Sequence, residues 1–374
     1  MKPKTGKKRN IGIDLLKIIC MFMVIAFHYS DHGSVSLSAT APITFNWVIL
    51  ATCRIWGGIC NAVFMLVTGY YLSRDKKFSW KKVIRLYMQV SFFTLLCGVI
   101  CILYNHGQAD KYFIIRLFLP LSSNKYWFFT TYFIIYFIHR YLNVIIDNIT
   151  REQHFTLMTI GLGVYSVFYT FGSCMMLPIT KDLSFSRWIS GGNGVIIYVI
   201  LYFVGAYLRK YNISFKFDKL ILLMLLAAEV LLLFFMRAVA AKAGNDGYIY
   251  YFSWGTEKIF PILVAIVALT VFKKIDIKES LLSRMIKYVA PSVFAVYLFH
   301  IGDMRAFLFK DVFDNSKYYD GPVMILHLLM TMVVLFVAGI LLDKIRLFLI
   351  DKPLTKPINS LSDRLDKMTE KSFP

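Results

Sequence analysis

The residues of this chain best suited to chemistry are a few ionisable side chains set inside, or at the ends of, long apolar runs. His28 stands one residue from the end of the run from Ile11 to Tyr29. An imidazole ionises at about pH 6.5, so it can take up or release a proton near neutrality, or accept an acyl group as a nucleophile. If the run is a helix starting at Ile11, His28 lies roughly 25 Å along its axis, near the far side of a hydrocarbon core about 30 Å thick. An ionisable group at that depth is a functional candidate; the plain alternative is a ring snorkelling at the interface. Lys17 precedes His28 by eleven residues, about three helical turns, which sets both on one face. Lys17 either lines a vestibule or pairs with Asp14, three residues before it. Lys82 and Arg85 share a helical face, as do Tyr297 and His300, each pair being three apart. Asp303 and Arg305 follow one turn further out, to contact a substrate or pair with other rim charges. Asp31, three residues after His28, either orients its ring or is a solvated loop residue, and the second reading is preferred. Trp127 and Tyr126 open an apolar run, where rings anchor at an interface or form a platform for a ligand. Arg54 and Glu229 fall near mid-bilayer by residue count, placed to pair or to line a pathway. Asn61 and Gly69 fit interhelical hydrogen bonding and close packing.

The elements that must position these groups are transmembrane helices. Of 374 residues, 58% are hydrophobic and 17% charged, against about 25% charged in soluble domains. Ten spans are expected, at about 11–30, 45–72, 84–105, 126–146, 154–173, 192–209, 218–236, 257–273, 289–309 and 322–343. Runs of this length cross a bilayer as helices and lack the alternation of barrel strands. The fold class is therefore all-α: one polytopic integral-membrane domain over residues 1–374, with 344–374 as a polar tail. No cleavable signal is read at the N-terminus; the first span is expected to act as an uncleaved anchor.

With the N-terminus inside, the inner segments carry 29 Lys and Arg and the outer ones 11, so both termini are expected in the cytoplasm. The net charge of +20 follows this topology, and no basic-aromatic module for nucleic acid is present. Cys20, Cys53, Cys60, Cys97, Cys101 and Cys174 lie in or beside apolar runs, which suits packing. Cys97 and Cys101 have only His106 nearby, too little for zinc. No metal is expected.

Five local patterns recur in a recognisable order. The first span reads Asp14-Leu15-Leu16-Lys17, then ten residues, then His28. The second ends Phe64-Met65-Leu66-Val67-Thr68-Gly69-Tyr70-Tyr71-Leu72. A basic turn, Lys81-Lys82-Val83-Ile84-Arg85, opens the third; the fourth opens Tyr126-Trp127-Phe128, with Tyr132 further in. The ninth carries Ser292 and then Val296-Tyr297-Leu298-Phe299-His300. Over roughly residues 9–345 the chain resembles the integral-membrane acyltransferase-3 superfamily, which includes O-acetyltransferases of cell-surface polysaccharides. Two departures stand out. Lys17 sits where the family usually has Arg, and Lys82 with Arg85 stands for a pair of arginines, so forked hydrogen bonding is lost at Lys17 and Lys82.

The resemblance implies a multi-pass protein of a bacterial cytoplasmic membrane, in contact with membrane lipids. It implies acetyl-CoA or another acyl-CoA as cytoplasmic donor, and a hydroxyl of a glycan or lipid-linked saccharide as acceptor. His28 would then be the base for that hydroxyl, or would itself carry the acyl group. Lys82 and Arg85 would bind the donor's phosphates, a reading preferred for them over plain positive-inside topology, whereas topology is preferred for Arg74, Lys76 and Lys77; Lys17 would help bind the donor from the vestibule, with a snorkelling lysine paired with Asp14 as the alternative. Tyr297, His300, Asp303, Arg305 and Trp127 would contact the acceptor or complete a polar network. Because His28 lies near the outer face, the thioester must reach into the bundle or its acyl group must be relayed. Two other expectations compete: a transporter of glycan or lipid intermediates without chemistry, and a polysaccharide polymerase. The chain lacks obvious repeated halves and large outer loops, which disfavours both.

Overall fold

The computed structural model describes residues 9–75, 77–104, 111–121, 125–181 and 194–370, and among these there is no β-strand. Helix starts follow local capping chemistry. The Asn10 side chain accepts from the Ile13 amide and begins α1 (Ile11–Asp31); Thr44 does the same for Trp47 and begins α2 (Phe45–Leu72). Such caps satisfy amides that the helix itself leaves bare. Next come α3 (Trp80–Leu103), the short α4 (Lys111–Phe118) and α5 (Trp127–Asn148). A reciprocal Thr150–Gln153 capping box reverses the chain into α6 (Arg151–Leu162), which runs through a π-helical turn into α7 (Tyr169–Thr180). Then follow α8 (Val195–Lys210), α9 (Asp218–Ala243) and α10 (Ile259–Lys273).

Among the described residues eight helical spans are long and apolar enough to cross a membrane, and Ile259–Lys273 is a shorter apolar helix. Helix α8, at 16 residues, reaches only about 24 Å. It is enclosed by protein: Gly69 of α2 lies against the Tyr202 backbone and Gly205 of α8 against the Leu66 backbone, and a Cβ at either would come within 2.2 Å of a carbonyl oxygen. Small residues let the two backbones touch, as membrane helix pairs require. Gly69 thus has the packing role its type suggested, while Asn61 lines a cavity described below.

The ninth span differs from its expected range of 289–309. It begins eight residues earlier, where a Ser280–Ser283 capping box starts α11 (Leu281–Val289). A 3₁₀ turn at Ala290–Ser292 contains Pro291, and α12 (Val293–His300) ends where Gly302 takes a left-handed φ of 65°. Proline removes an amide donor and a left-handed glycine stops a helix, so a single run becomes two pieces. His300 is consequently the last residue of its helix. After the short α13 (Met304–Ala306), α14 (Met324–Arg346) continues through a π-helical turn to Asp351. The tail is not featureless. It forms amphipathic α15 (Thr355–Thr369), with Ile358 and Ser362 buried. Asp366 accepts from the Trp80 amide and Thr369 Oγ1 from the Trp80 indole, at 3.0 and 2.9 Å.

Segments assigned to the same side by charge meet one another. On the basic face Asn10 donates to the Lys273 carbonyl, Lys274 Nζ lies 2.6 Å from Asp218, and Arg140 donates to the Asp75 carbonyl. On the opposite face Asp246 accepts from the Ala39 amide, Asn315 from the Val35 amide, and Asp303 pairs with Lys125. All six cysteines are free thiols and five are buried.

Candidate active site

Between α1, α2, α3, α5 and α12 the bundle encloses a cavity of about 760 Å³, within the range of small-molecule sites. Its basic-face end is formed by Lys17, Leu86, Gln89 and Tyr132; its opposite end by His32, Arg116, Arg305 and Trp254. His28 and Asn61 lie on the wall, with Phe64, Phe128 and Phe294. A second pocket of about 350 Å³, lined by Lys82, Arg85, Tyr136, Arg346 and Asp351, shares Leu86, Gln89 and Tyr132 with the first. These three side chains stand where the basic vestibule adjoins the histidine cavity, and that boundary is the neck.

Two helices 272 residues apart in sequence fix the His28 ring. His28 Nδ1 lies 3.2 Å from His300 Nε2, and His300 Nδ1 lies 2.5 Å from the Val296 carbonyl oxygen. A carbonyl only accepts, so neutral His300 carries its proton on Nδ1 and presents a lone pair at Nε2. His28 then donates from Nδ1, and its own Nε2 is the unprotonated nitrogen. That is the tautomer a general base needs. Protonation of His28 at Nε2 would strengthen the Nδ1–H bond to His300 by making it charge-assisted. His300 itself does not border the cavity, whereas His28 does, which makes His300 a positioning residue.

His32 is one turn beyond His28 and stacks on its ring, with centroids 5.2 Å apart at 22°. Burial, and then the charges of Arg305 and Arg54, push His32 down to about 3, so it is neutral at physiological pH. It was missed in the sequence because it follows the apolar run, yet spacing i, i+4 places it on His28's face. Asp31 does not hold the His28 ring. It lies 3.8 Å from Arg54 Nε and 3.5 Å from His32 Nδ1.

The other candidates divide between the two ends. Lys17 borders the cavity and pairs with Asp14 at 2.6 Å, and Asp14 also binds Arg9. Lys82 is half exposed and pairs with Asp75 at 2.6 Å. Arg85 faces the vestibule with its Nε buried and unpaired among the described residues. Arg346, unmarked in the sequence, is a buried clamp: Nε and Nη2 reach Asp343 at 3.0 and 2.8 Å, and Nη1 reaches Asp351 at 2.6 Å. Gln89 donates to the same Asp343 oxygen at 3.0 Å, tying the neck to that clamp. At the other end Asp303 pairs with Lys125 at 2.5 Å, and Arg305 Nη1 lies 3.4 Å from His32 Nε2. Trp127 and Tyr297 border the cavity, Tyr297 packing on Tyr126, Phe128 and Phe294. Arg54 and Glu229 do not meet: Arg54 donates to the Ser30 carbonyl at 2.8 Å, while Glu229 accepts from Ser253. Lys76 and His106 lie outside the described residues. Among the described residues no group of three or more His, Cys, Asp or Glu side chains could hold a metal ion.

A model of the acyltransferase-3 type, described as an acyltransferase domain, matches residues 10–344. The chain belongs to this family of membrane acyltransferases. Comparisons with curated proteins and with solved structures return no match. In this acyltransferase the matched segment contains every residue of the His28–His300 pair, the neck and the wall of the larger cavity. Only Arg346, Leu347 and Asp351 of the vestibule lie beyond it.

Proposed function

We propose that this acyltransferase moves an acyl group, most simply acetyl, from cytoplasmic acyl-CoA to a hydroxyl of an extracytoplasmic glycan or lipid-linked saccharide, in a bacterial cytoplasmic membrane. One observation carries this reading: an oriented imidazole on the wall of a cavity whose neck adjoins a basic vestibule. Arg85, Lys82 and Lys17 supply positive charge for the donor's phosphates. The pantetheine arm passes Leu86, Gln89 and Tyr132 and carries its thioester to His28. The ring-lined wall excludes water, which would otherwise compete as acceptor.

The chemistry then balances with these residues alone. His28 Nε2 takes the proton of the sugar hydroxyl as its oxygen bonds to the thioester carbonyl carbon. The tetrahedral intermediate collapses, the carbon–sulfur bond breaks, and the departing thiolate takes the proton from His28. A single cavity that receives donor and acceptor together favours this direct route over an acyl-histidine.

The test uses membranes bearing the full chain, radiolabelled acetyl-CoA and envelope polysaccharide from the producing cell. Label should enter the polymer as a base-labile ester, and His28→Ala should abolish it. Binding of CoA to the purified protein should survive His28→Ala and weaken in Arg85→Gln. Full transfer by the His28→Ala protein would remove His28 as the base. A wild-type protein that does not bind CoA would remove the donor assignment.

A further inference from the structure

The opposite end of the cavity carries a charge imbalance that the transfer chemistry does not require. Its lining includes three cations, Arg116, Lys125 and Arg305, and two carboxylates, Asp31 and Asp303. Both carboxylates are engaged: Asp303 pairs with Lys125 at 2.5 Å, and Asp31 lies 3.8 Å from Arg54 and 3.5 Å from His32. Arg116 and Arg305 are exposed, and among the described residues neither has a carboxylate within salt-bridge distance, although Arg305 lies near enough to Asp31 to favour its charged form. They come from separate elements, α4 and α13, so neither charge is a by-product of one basic helix. Positive-inside topology cannot explain them, since it places such charges on the other face. The same field acts on His32, which Arg305, Arg54 and Lys310 all disfavour in its protonated form, after burial. Trp254, 59% exposed, lines the same cavity as the two arginines and the imidazole, and its ring offers a flat apolar face suited to a sugar ring.

We propose that the acceptor is an anionic saccharide, one bearing a phosphate or carboxylate, whose charge is held by Arg116 and Arg305 while Trp254 covers a sugar face. This rests on the transfer reading above and narrows its substrate class. Guanidinium groups are suited to the task because their planar forks bind phosphate and carboxylate oxygens in pairs. Anchoring the charge at the rim leaves a neighbouring hydroxyl to project inward to His28. The acyl group would then be added close to the glycan's negative charge.

Binding and transfer separate this inference from the reading beneath it. The full chain is placed in phosphatidylcholine nanodiscs, and its tryptophan fluorescence is titrated with three oligosaccharides of one backbone: neutral, phosphorylated, and oxidised to the uronic acid. Either anionic form should bind roughly tenfold or more tightly than the neutral parent at low salt, and most of the preference should vanish near 1 M salt. The preference of phosphate over carboxylate, or the reverse, identifies which anion the site takes. In Arg116→Gln/Arg305→Gln the ratio of anionic to neutral affinity should fall towards one, and paired lysines should restore part of it. Equal affinity for charged and neutral forms would overturn the proposal. So would an undiminished ratio in the double variant, or a signal that phosphatidylglycerol reproduces without saccharide, which would make the rim a lipid contact. Anionic binding that follows the arginines, with no label transferred from acetyl-CoA to the bound saccharide, would leave the surface standing and refute the transfer reading instead.

Discussion

Replacing His300 with leucine isolates what the second histidine does. The residue is fully buried, forms no part of the cavity wall, and contacts His28 Nδ1 at 3.2 Å. Leucine keeps the apolar packing but removes the acceptor. In the resting state the pair is neutral, and such a hydrogen bond contributes about 0.5–1.5 kcal/mol; once His28 is protonated the contribution is about 1.5–3 kcal/mol. The difference, about 1–1.5 kcal/mol, belongs to the transition state alone. The loss of tautomer control adds to it, since nothing then keeps the His28 proton on Nδ1. A total of about 2–3 kcal/mol corresponds to a fall in kcat of roughly 30- to 160-fold. The KM for the donor should hold, because the vestibule is formed by other residues. His300→Gln, whose amide oxygen can accept from Nδ1–H, should recover activity to within about fivefold. The assay is initial-rate transfer of labelled acetyl groups, with thermal melting in detergent as the folding control. In the double variant with His28→Ala, the His300→Leu change should cost nothing further, because the partner it orients is gone. A His300→Leu protein that keeps kcat within threefold, or losses that multiply in the double variant, would refute the oriented-base mechanism.

Four further outcomes follow from the same geometry. Arg85→Gln should raise the donor KM by about tenfold or more with kcat held, since its guanidinium faces the vestibule without a carboxylate partner among the described residues; Lys82→Gln should do less, because that side chain is 54% exposed and already paired with Asp75. Gln89→Leu breaks the 3.0 Å bond to Asp343 at the neck and should weaken donor binding measurably, read by CoA titration against wild type, while Arg346 keeps Asp343 paired. Gly69→Ala forces a methyl group to within 2.2 Å of the Tyr202 carbonyl, and should cost about 1–3 kcal/mol of stability through overpacking, read as a lower melting temperature. His32, held down to about 3 against an ordinary 6.5, resists a proton that the unfolded chain accepts, so its contribution to stability is present above about pH 6.5 and is lost as the pH falls towards 3; between pH 7.5 and 5.5 the loss is at most about 1.4 kcal/mol, and His32→Asn should flatten that part of the melting-temperature profile.

Much of the bundle is written in local pattern. The bounds of α2 coincide with the expected 45–72 because Thr44 supplies a cap and the apolar run is unbroken. The ninth span is less legible. The stretch Leu281–Val289 carries Arg284 and Lys287 and reads as a basic connection, yet it is a one-sided helix with Ile286 buried. Hydropathy alone starts the span after those charges, and a capping box starts it before them. The tail was obscured similarly, since α15 is polar in bulk and apolar only along the stripe it lays on α3.

At the site, residue type and depth pointed to His28, but nothing local reveals its partner. Tyr297 and His300 share a face by spacing, and that spacing says nothing of which ring approaches α1. The pairing depends on α12 ending at His300, which in turn depends on the left-handed Gly302 and on Pro291 in the turn before the helix. Arg346 shows the opposite failure. In the sequence it is one more basic residue after a span, indistinguishable from the lysines that set topology. Its meaning comes from burial: two carboxylates hold its fork, one of them also holds Gln89, and Gln89 stands where vestibule and cavity meet. Charge counting therefore groups these cations by sum and misreads the individual charge, because topology rests on sums of exposed groups whereas a buried network rests on the few groups that cannot reach water. Lys17 obeys both rules. It adds to the inner count by position, and it borders the cavity by its face of α1, about 16 Å below His28 by helical rise. On the proposed reaction a thioester would cross that interval within protein to reach His28, which would make the neck, more than the basic turn, the place where the donor is selected.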